Sequence, residues 1–254
     1  MSTAAVAPEA PPPVKLSTMS RIINTFIAPS QTFTDLRHHT TWTTWVAPWL
    51  LIAIVSWVFV AVMAQKIGFE QLAQNQLRLS PKRAEQLERL PPEQRARQMA
   101  ISVTVSKVIS YAIPFFTLIF LVIVAAVLMA TFNFGVGAEV PFKVALAIVF
   151  YASLPGLVKS LLGIIIMFAG VDPEGFVPQN PVATNPGHLI NPAESPVLYS
   201  VLSSIDIVAI WTLVLTAIGF SCVSKMNKGT TLGVVFGWYI LVTLVGAGFA
   251  ALFG

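Results

Sequence analysis

The chain has 254 residues, of which 56% are hydrophobic and only 10% are charged. Soluble domains are about one quarter charged, so this composition excludes an ordinary soluble protein and indicates an integral membrane protein. The formal net charge of +4 is small, and the positive residues lie in loops beside apolar segments. We therefore expect membrane lipids, including anionic headgroups, as partners, and no nucleic acid.

The sequence shows no set of residues suited to metal binding or catalysis. Cys222 is the single cysteine, which excludes an internal disulfide and a cysteine-based metal site. His38 and His39 are adjacent and His188 lies far away in a proline-rich loop, which does not fit a shared metal ion. The HExxH, GxSxG and phosphate-loop motifs are missing from the sequence. We therefore predict a protein that is not an enzyme and that uses neither metal nor cofactor.

The N-terminal region changes character near residue 21. Residues 1–20 are rich in Ala, Pro, Ser and Thr and predict a disordered tail. The apolar spacing that follows predicts an amphipathic helical stretch in the headgroup plane, with Phe26 and Phe33 at the membrane interface. Thr32 and Asp35 fit a capping box at the start of its second turn.

Five apolar segments are long enough to cross a bilayer. They cover about residues 45–64, 108–132, 142–169, 198–221 and 231–252. Trp42, Trp45 and Trp49 gather at the start of the first segment, where indole rings favour the membrane interface. The predicted fold class is an all-α membrane bundle of five transmembrane helices, preceded by an interfacial helix. An odd number of spans places the two termini on opposite sides.

Two loops and one turn bear on partners and orientation. The loop over residues 65–106 is highly charged and predicts short helices that pack on the membrane surface or on a partner, although such a charge run also fits a solvated face. The loop over residues 171–196 repeats Asn-Pro and carries acidic but no Lys or Arg residues. The turn between spans 4 and 5 is basic. The positive-inside rule is otherwise nearly balanced, so these features favour a cytoplasmic N-terminus.

Lys159 and Asp206 are the charged residues that lie well inside predicted spans. Counted from the loop between spans 3 and 4, Lys159 lies roughly 16 Å below Gly170 and Asp206 roughly 13 Å below Val197 at 1.5 Å per residue. The matching depths predict a buried charge pair. Three interpretations remain open: a pair that fixes the register of spans 3 and 4, a pair that moves an ion or proton, or two side chains that snorkel apart.

Small residues predict where helices approach closely. Gly156 and Gly163 lie on the same face as Lys159, where they let another backbone come near. Gly233 and Gly237 form a similar ridge in span 5, which fits packing within the chain as well as a homo-oligomer.

Three stretches, taken in order, resemble the Yip domain family of five-span membrane proteins, the Ypt/Rab-interacting type, in its compact bacterial form. These stretches are IAPSQTFTDLR at Ile27–Arg37, YASLPGLVKSLLG at Tyr151–Gly163 and SSIDIVAIWTLVLTAIGFS at Ser203–Ser221. The likeness covers about residues 20–252. It implies an all-helical Yip fold with a cytoplasmic N-terminus.

The resemblance also implies a class of function. Eukaryotic relatives bind Rab-type GTPases and influence membrane shape, but this chain has only a short N-terminal tail, so Rab binding does not carry over. We expect a scaffold in a bacterial inner membrane that organises lipids and other membrane proteins. The alternative is a small transporter or ion pathway that uses Lys159 and Asp206, although the odd span count shows no repeated halves.

Overall fold

The computed structural model describes residues 15–224 and 226–253, and the regular elements in that part of the chain are all helices. Most of the predicted tail, residues 1–14, lies outside the described residues. Helix α1 begins at Thr18, within the segment predicted as tail. The helices are α1 Thr18–Ile27, α2 Pro29–His39, α3 Val46–Lys66, α4 Phe69–Arg78, α5 Pro81–Glu88, α6 Pro92–Ala130, α7 Phe142–Ala152, α8 Gly156–Ala169, α9 Pro196–Ser204, α10 Ile207–Ser224 and α11 Lys228–Phe253.

Five helical segments in the described residues are long and apolar enough to cross a membrane. They are Val46–Lys66, Pro92–Gly135, Phe142–Ala169, Ile207–Ser224 and Lys228–Leu252. The predicted all-α class with five transmembrane segments is thereby confirmed. The third segment consists of α7 and α8, which meet at a turn ending in Pro155.

The continuous helix expected over residues 198–221 is in fact two helices. Helix α9 ends at Ser204 and α10 begins at Ile207. The carboxylate of Asp206 lies in the gap, where its Oδ1 accepts the backbone N–H groups of Val208 (2.8 Å) and Ala209 (3.2 Å). Asp is a favoured N-cap because its oxygen satisfies amides that have no partner inside the helix. Asp206 therefore starts a helix instead of interrupting the middle of one.

Helix α7 forms the centre of the core. Its residues Val144 to Ala152 are all buried, as expected for a segment that is apolar on every side. Beside it, the rings of Phe132 and Phe220 stack with their centroids 4.5 Å apart. These contacts join α7, α10 and the end of α6 into one apolar cluster.

The N-terminal helices form a hairpin that packs into this cluster. Helices α1 and α2 contact each other, and α2 lies along α10. Phe33, expected at the membrane interface, is 0% exposed, because Gly219 of α10 leaves room for its ring. Phe26 also turns inward, with its ring 5.7 Å from that of Trp211 in an edge-to-face contact. The expected capping box is wrong, since the N-cap of α2 is Ala28, without a side-chain cap.

The tryptophans at the start of α3 divide between surface and interior. Trp42 is 64% exposed, in keeping with an interfacial position. Trp45 instead packs on Phe150, with ring centroids 5.3 Å apart. Trp49 donates its indole N–H to the carbonyl of Pro114 in α6 at 3.3 Å. Two of the three indoles thus fasten α3 to its neighbours.

Candidate functional site

Lys159 and Asp206 meet where two helices are interrupted. Lys159 is the fourth residue of α8, just after the turn at Pro155, and Asp206 precedes α10. The ammonium Nζ of Lys159 lies 2.7 Å from the carboxylate Oδ2 of Asp206. The side chain of Asp206 is 6% exposed and that of Lys159 is 23% exposed. The acid is therefore enclosed, whereas the lysine reaches an opening.

The loop between α8 and α9 supplies further donors to the same carboxylate. Thr184 donates its hydroxyl to Oδ2 at 2.5 Å, and Asn185 donates its side-chain amide to Oδ2 at 3.1 Å. The carbonyl of Thr184 also accepts the backbone N–H of Ile207 at 3.1 Å. Together with the two amides at the start of α10, Asp206 accepts five hydrogen bonds.

Amide side chains hold this loop in place. Asn180 and Asn185, both buried, exchange two hydrogen bonds of 3.2 and 2.8 Å, which fixes the orientation of Asn185. From the other side, Asn75 of α4 donates to the carbonyls of Pro173 (2.7 Å) and Phe176 (3.0 Å). The loop is thus anchored to α4 at one end and to Asp206 further along.

Two glycines allow the loop to come this close. A Cβ placed on Gly187 would lie 2.1 Å from the hydroxyl of Ser203 and 2.7 Å from its backbone nitrogen. A Cβ on Gly163 would lie 2.7 Å from the ring of Phe59 and 3.4 Å from Pro181 of the loop. Gly163, expected to face another helix, therefore faces both a helix and the loop that enters beside it.

Both carboxylate oxygens of Asp206 are occupied by hydrogen bonds from the protein itself. Burying a carboxylate is costly unless its oxygens are bonded, and here both oxygens are. An acid with five donors is poorly suited to take up a proton. Within the described part of the chain, no cluster of three or more His, Cys, Asp or Glu side chains is able to hold a metal ion.

A second buried ion pair fastens the N-terminal hairpin. Arg21 Nε lies 2.6 Å from Asp35 Oδ2, and His39 Nδ1 lies 2.7 Å from Asp35 Oδ1, which also accepts the Leu16 N–H at 3.0 Å. Burial alone raises the pKa of Asp35, but the hydrogen bonds from Leu16, Arg21 and His39 outweigh it, so the pKa lies below its ordinary value. Sequence reasoning missed this cluster because Asp35 was interpreted as a cap.

Comparison with protein families decides the classification. A family model described as the Yip1 domain matches residues 23–250, which include both interrupted helices and the loop between them. The chain belongs to the Yip1 domain family. The resemblance drawn from three sequence stretches is thereby confirmed. Comparison with curated proteins and with solved structures found no match.

The remaining glycines of interest in this Yip1 domain lie on open faces. A Cβ on Gly156, Gly233 or Gly237 would meet no atom within 4 Å among the residues that the structure describes. Their role in helix packing is thus not evident inside a single chain. The sequence did not identify Thr184 and Asn185 as partners of Asp206, although the Asn-Pro repeats around them indicated an ordered loop.

Proposed function

We propose that this Yip1 domain protein is a non-enzymatic membrane scaffold that organises lipid and protein partners in the plane of a bacterial inner membrane, with its N-terminus in the cytoplasm. The observation that carries the proposal is that the protein's own donors occupy both carboxylate oxygens of Asp206. With five hydrogen bonds from the first turns of two helices and from one loop, the carboxylate serves to hold the fold together. Family membership supports the same role.

A basic arm on the side opposite the N-terminus supports contact with anionic partners. Helix α6 has 39 residues, about 58 Å, which exceeds the ~30 Å hydrocarbon layer. Its first turns and α5 therefore extend beyond the hydrocarbon layer and expose positive side chains that attract anionic headgroups or acidic proteins. We define the basic arm by these exposed residues, which outnumber the exposed Glu85, Glu88 and Glu93 of the same segment: Lys82, Arg83, Arg89, Arg95 and Arg97.

Crosslinking in native membranes tests the scaffold role. The protein is crosslinked before solubilisation, purified, and its attached proteins and lipids are identified by mass spectrometry. We expect a reproducible partner set that shrinks in the variant Lys82→Gln/Arg83→Gln. The matched control Lys15→Gln/Arg37→Gln removes the same charge from exposed residues on the N-terminal side and should keep the set. Recovery of no reproducible partner in several detergents would contradict the proposal.

A second candidate function is an ion or solute pathway, and one observation favours it. Two interrupted helices meet at the Lys159–Asp206 pair, and discontinuous helices line the substrate sites of many transporters. Lys159 of this pair also borders a cavity of about 410 Å³. Solute flux in proteoliposomes that vanishes in Asp206→Asn, while the variant retains its helical circular dichroism spectrum and monodispersity, would favour this candidate over the scaffold.

A further inference from the structure

An open cavity of about 410 Å³ lies directly beside Lys159. It is formed by α8, α9, the loop between them, the residue after α4 and the end of α11. Its polar lining includes Lys159, Gln179, Asn185, Tyr199, Ser200 and Ser203. Within the described residues, none of the lining side chains is acidic. The cavity is large enough for a small polar group, since ligand pockets start near 300 Å³.

The lining offers hydrogen-bond donors that the fold does not use. The ammonium of Lys159 has three N–H groups, and one donates to Asp206. Among the described residues, the Ser203 hydroxyl is buried without a hydrogen-bond partner. The hydroxyls of Tyr199 and Ser200 likewise make no side-chain hydrogen bond within residues 15–224 and 226–253. A group rich in acceptor oxygens would satisfy the donors of Lys159, Tyr199 and Ser200 together.

The lining of the cavity suits an anion rich in acceptor oxygens. Asp206 accepts four further hydrogen bonds from Thr184, Asn185 and the two amides that begin α10, so Lys159 supplies one of its five donors and keeps two N–H groups for a ligand. Tyr199 belongs to the first turn of α9, whose end carries positive partial charge. Ser195, the N-cap of α9, makes no capping hydrogen bond with its side chain. The cavity is thus lined by a cation, by hydroxyls and by the first turn of α9.

We infer that this cavity binds a phosphate group, held by Lys159 and by the hydroxyls of Tyr199 and Ser200. The inference rests on the proposed lipid-organising role, because it makes a phospholipid headgroup the natural source of the phosphate. Exposed apolar side chains at the same end, Val197 of α9 and Leu252 of α11, offer a surface along which acyl chains can lie. A soluble phosphate ester is the other source of the same chemistry.

Lipid retention on the purified protein tests the inference. The protein is reconstituted with phosphatidylglycerol or with phosphate-free galactosyl diacylglycerol, then washed in detergent, and its bound lipid is counted by native mass spectrometry. The cavity variant Tyr199→Phe/Ser200→Ala removes two hydroxyls and leaves the ion pair untouched. The control Tyr111→Phe/Ser106→Ala makes the same chemical change on α6, away from the cavity. Thermal unfolding checks that both variants fold.

We expect one phosphatidylglycerol retained by the wild type and the control, with retention weaker by ~100-fold or more in the cavity variant after two hydrogen bonds to a charged group are lost. Retention of the galactosyl lipid to the same extent, or equal retention by the cavity variant, would overturn the inference. A site that retains no lipid but binds glycerol 3-phosphate, with the same loss in the cavity variant, supports the phosphate site and identifies a soluble source.

These outcomes are separable from those of the scaffold test. Native mass spectrometry uses pure protein and defined lipids, whereas crosslinking in native membranes reports all partners. Loss of the phosphate site with an intact partner set would reject only the inference. An intact phosphate site without any reproducible partner would reject only the scaffold.

Discussion

Lys159 Nζ and Asp206 Oδ2 lie 2.7 Å apart although the two residues are 47 positions apart in the sequence. Each residue stands next to a break in a helix, and a break exposes backbone groups that a continuous helix would bond. The Oδ1 atom of Asp206 accepts such backbone N–H groups and caps α10. Its Oδ2 atom accepts hydrogen bonds from Lys159 and from the loop. One carboxylate thereby ties together α8, α10 and the loop between α8 and α9.

This geometry predicts unequal losses when the pair is broken. Asp206→Asn leaves a lysine without its anion and disturbs the donors on Oδ2, so we expect a loss of about 2–4 kcal/mol of unfolding free energy. Lys159→Met leaves Asp206 with four donors and should cost only about 1–2 kcal/mol. The double variant should be more stable than Asp206→Asn alone. Unfolding in detergent by denaturant titration measures all four proteins, and strictly additive losses would contradict the pairing.

The spans and the depth of the two charges follow from sequence because hydropathy and helical rise act locally. Counting residues inward was enough to place Lys159 and Asp206 at the same level. The break before Asp206 was missed, since the apolar run continues through it and an Asp within such a run gives the same pattern whether it caps a helix or interrupts one. A short polar side chain flanked by apolar residues was the available signal.

The loop contacts were harder to predict. Thr184 and Asn185 lie in a polar, proline-rich segment, and such segments normally run over the surface. This loop enters the bundle because Gly187 and Gly163 have no Cβ atoms and so leave space for it. A sequence does not show which side chains a glycine will contact. Similarly, Phe33 has the pattern of an interfacial residue, and only the opposing Gly219 brings it into the core.

The close contact between Gly187 and α9 predicts a sharp effect of one methyl group. In Gly187→Ala the new Cβ would lie 2.1 Å from the Ser203 hydroxyl and 2.7 Å from its backbone nitrogen, which no rotation relieves. We expect a loss of about 2–3 kcal/mol, because the loop must move away from α9. Gly175→Ala in the same loop is the control, since its Cβ would lie 3.9 Å from the nearest atom described. Equal melting temperatures of the two variants would contradict the packing.

The buried Asp35 predicts acid sensitivity of the N-terminal hairpin. Its pKa in the folded state lies below the ordinary value of 3.8 because the Leu16, Arg21 and His39 hydrogen bonds outweigh the effect of burial. The unfolded chain therefore binds more protons, so this stabilisation is fully present above about pH 5 and is lost as the pH falls through the folded-state pKa.

The variant Asp35→Asn isolates that contribution. At pH 7 it leaves the buried Arg21 unpaired and should lower stability by about 3 kcal/mol. The difference between wild type and variant should shrink as the pH falls below about 4, since the unfolded wild-type chain then takes up a proton that the folded state resists. Scanning fluorimetry across this pH range measures the difference. A gap that stays constant down to pH 3 would show that folding does not lower the pKa of Asp35.

The glycines of α10 and α11 predict opposite outcomes for the same substitution. In Gly219→Ala the Cβ would lie 2.4 Å from Ile148 and 3.1 Å from the Phe33 ring, so we expect a loss of about 2 kcal/mol. Gly233→Ala/Gly237→Ala meets no atom within 4 Å in the described residues and should be neutral or stabilising by up to ~1 kcal/mol, because Ala favours helix.

The same two positions test for a homo-oligomer. If the small-residue face of α11 joins two copies of the chain, Gly233→Leu/Gly237→Leu would block close approach of the helices and lower the crosslinked dimer fraction in membranes. The melting temperature of the solubilised monomer should not fall, because the added side chains point into open space in the described chain. An unchanged dimer fraction, or wild-type protein that yields no dimer, would assign this face to lipid contact instead.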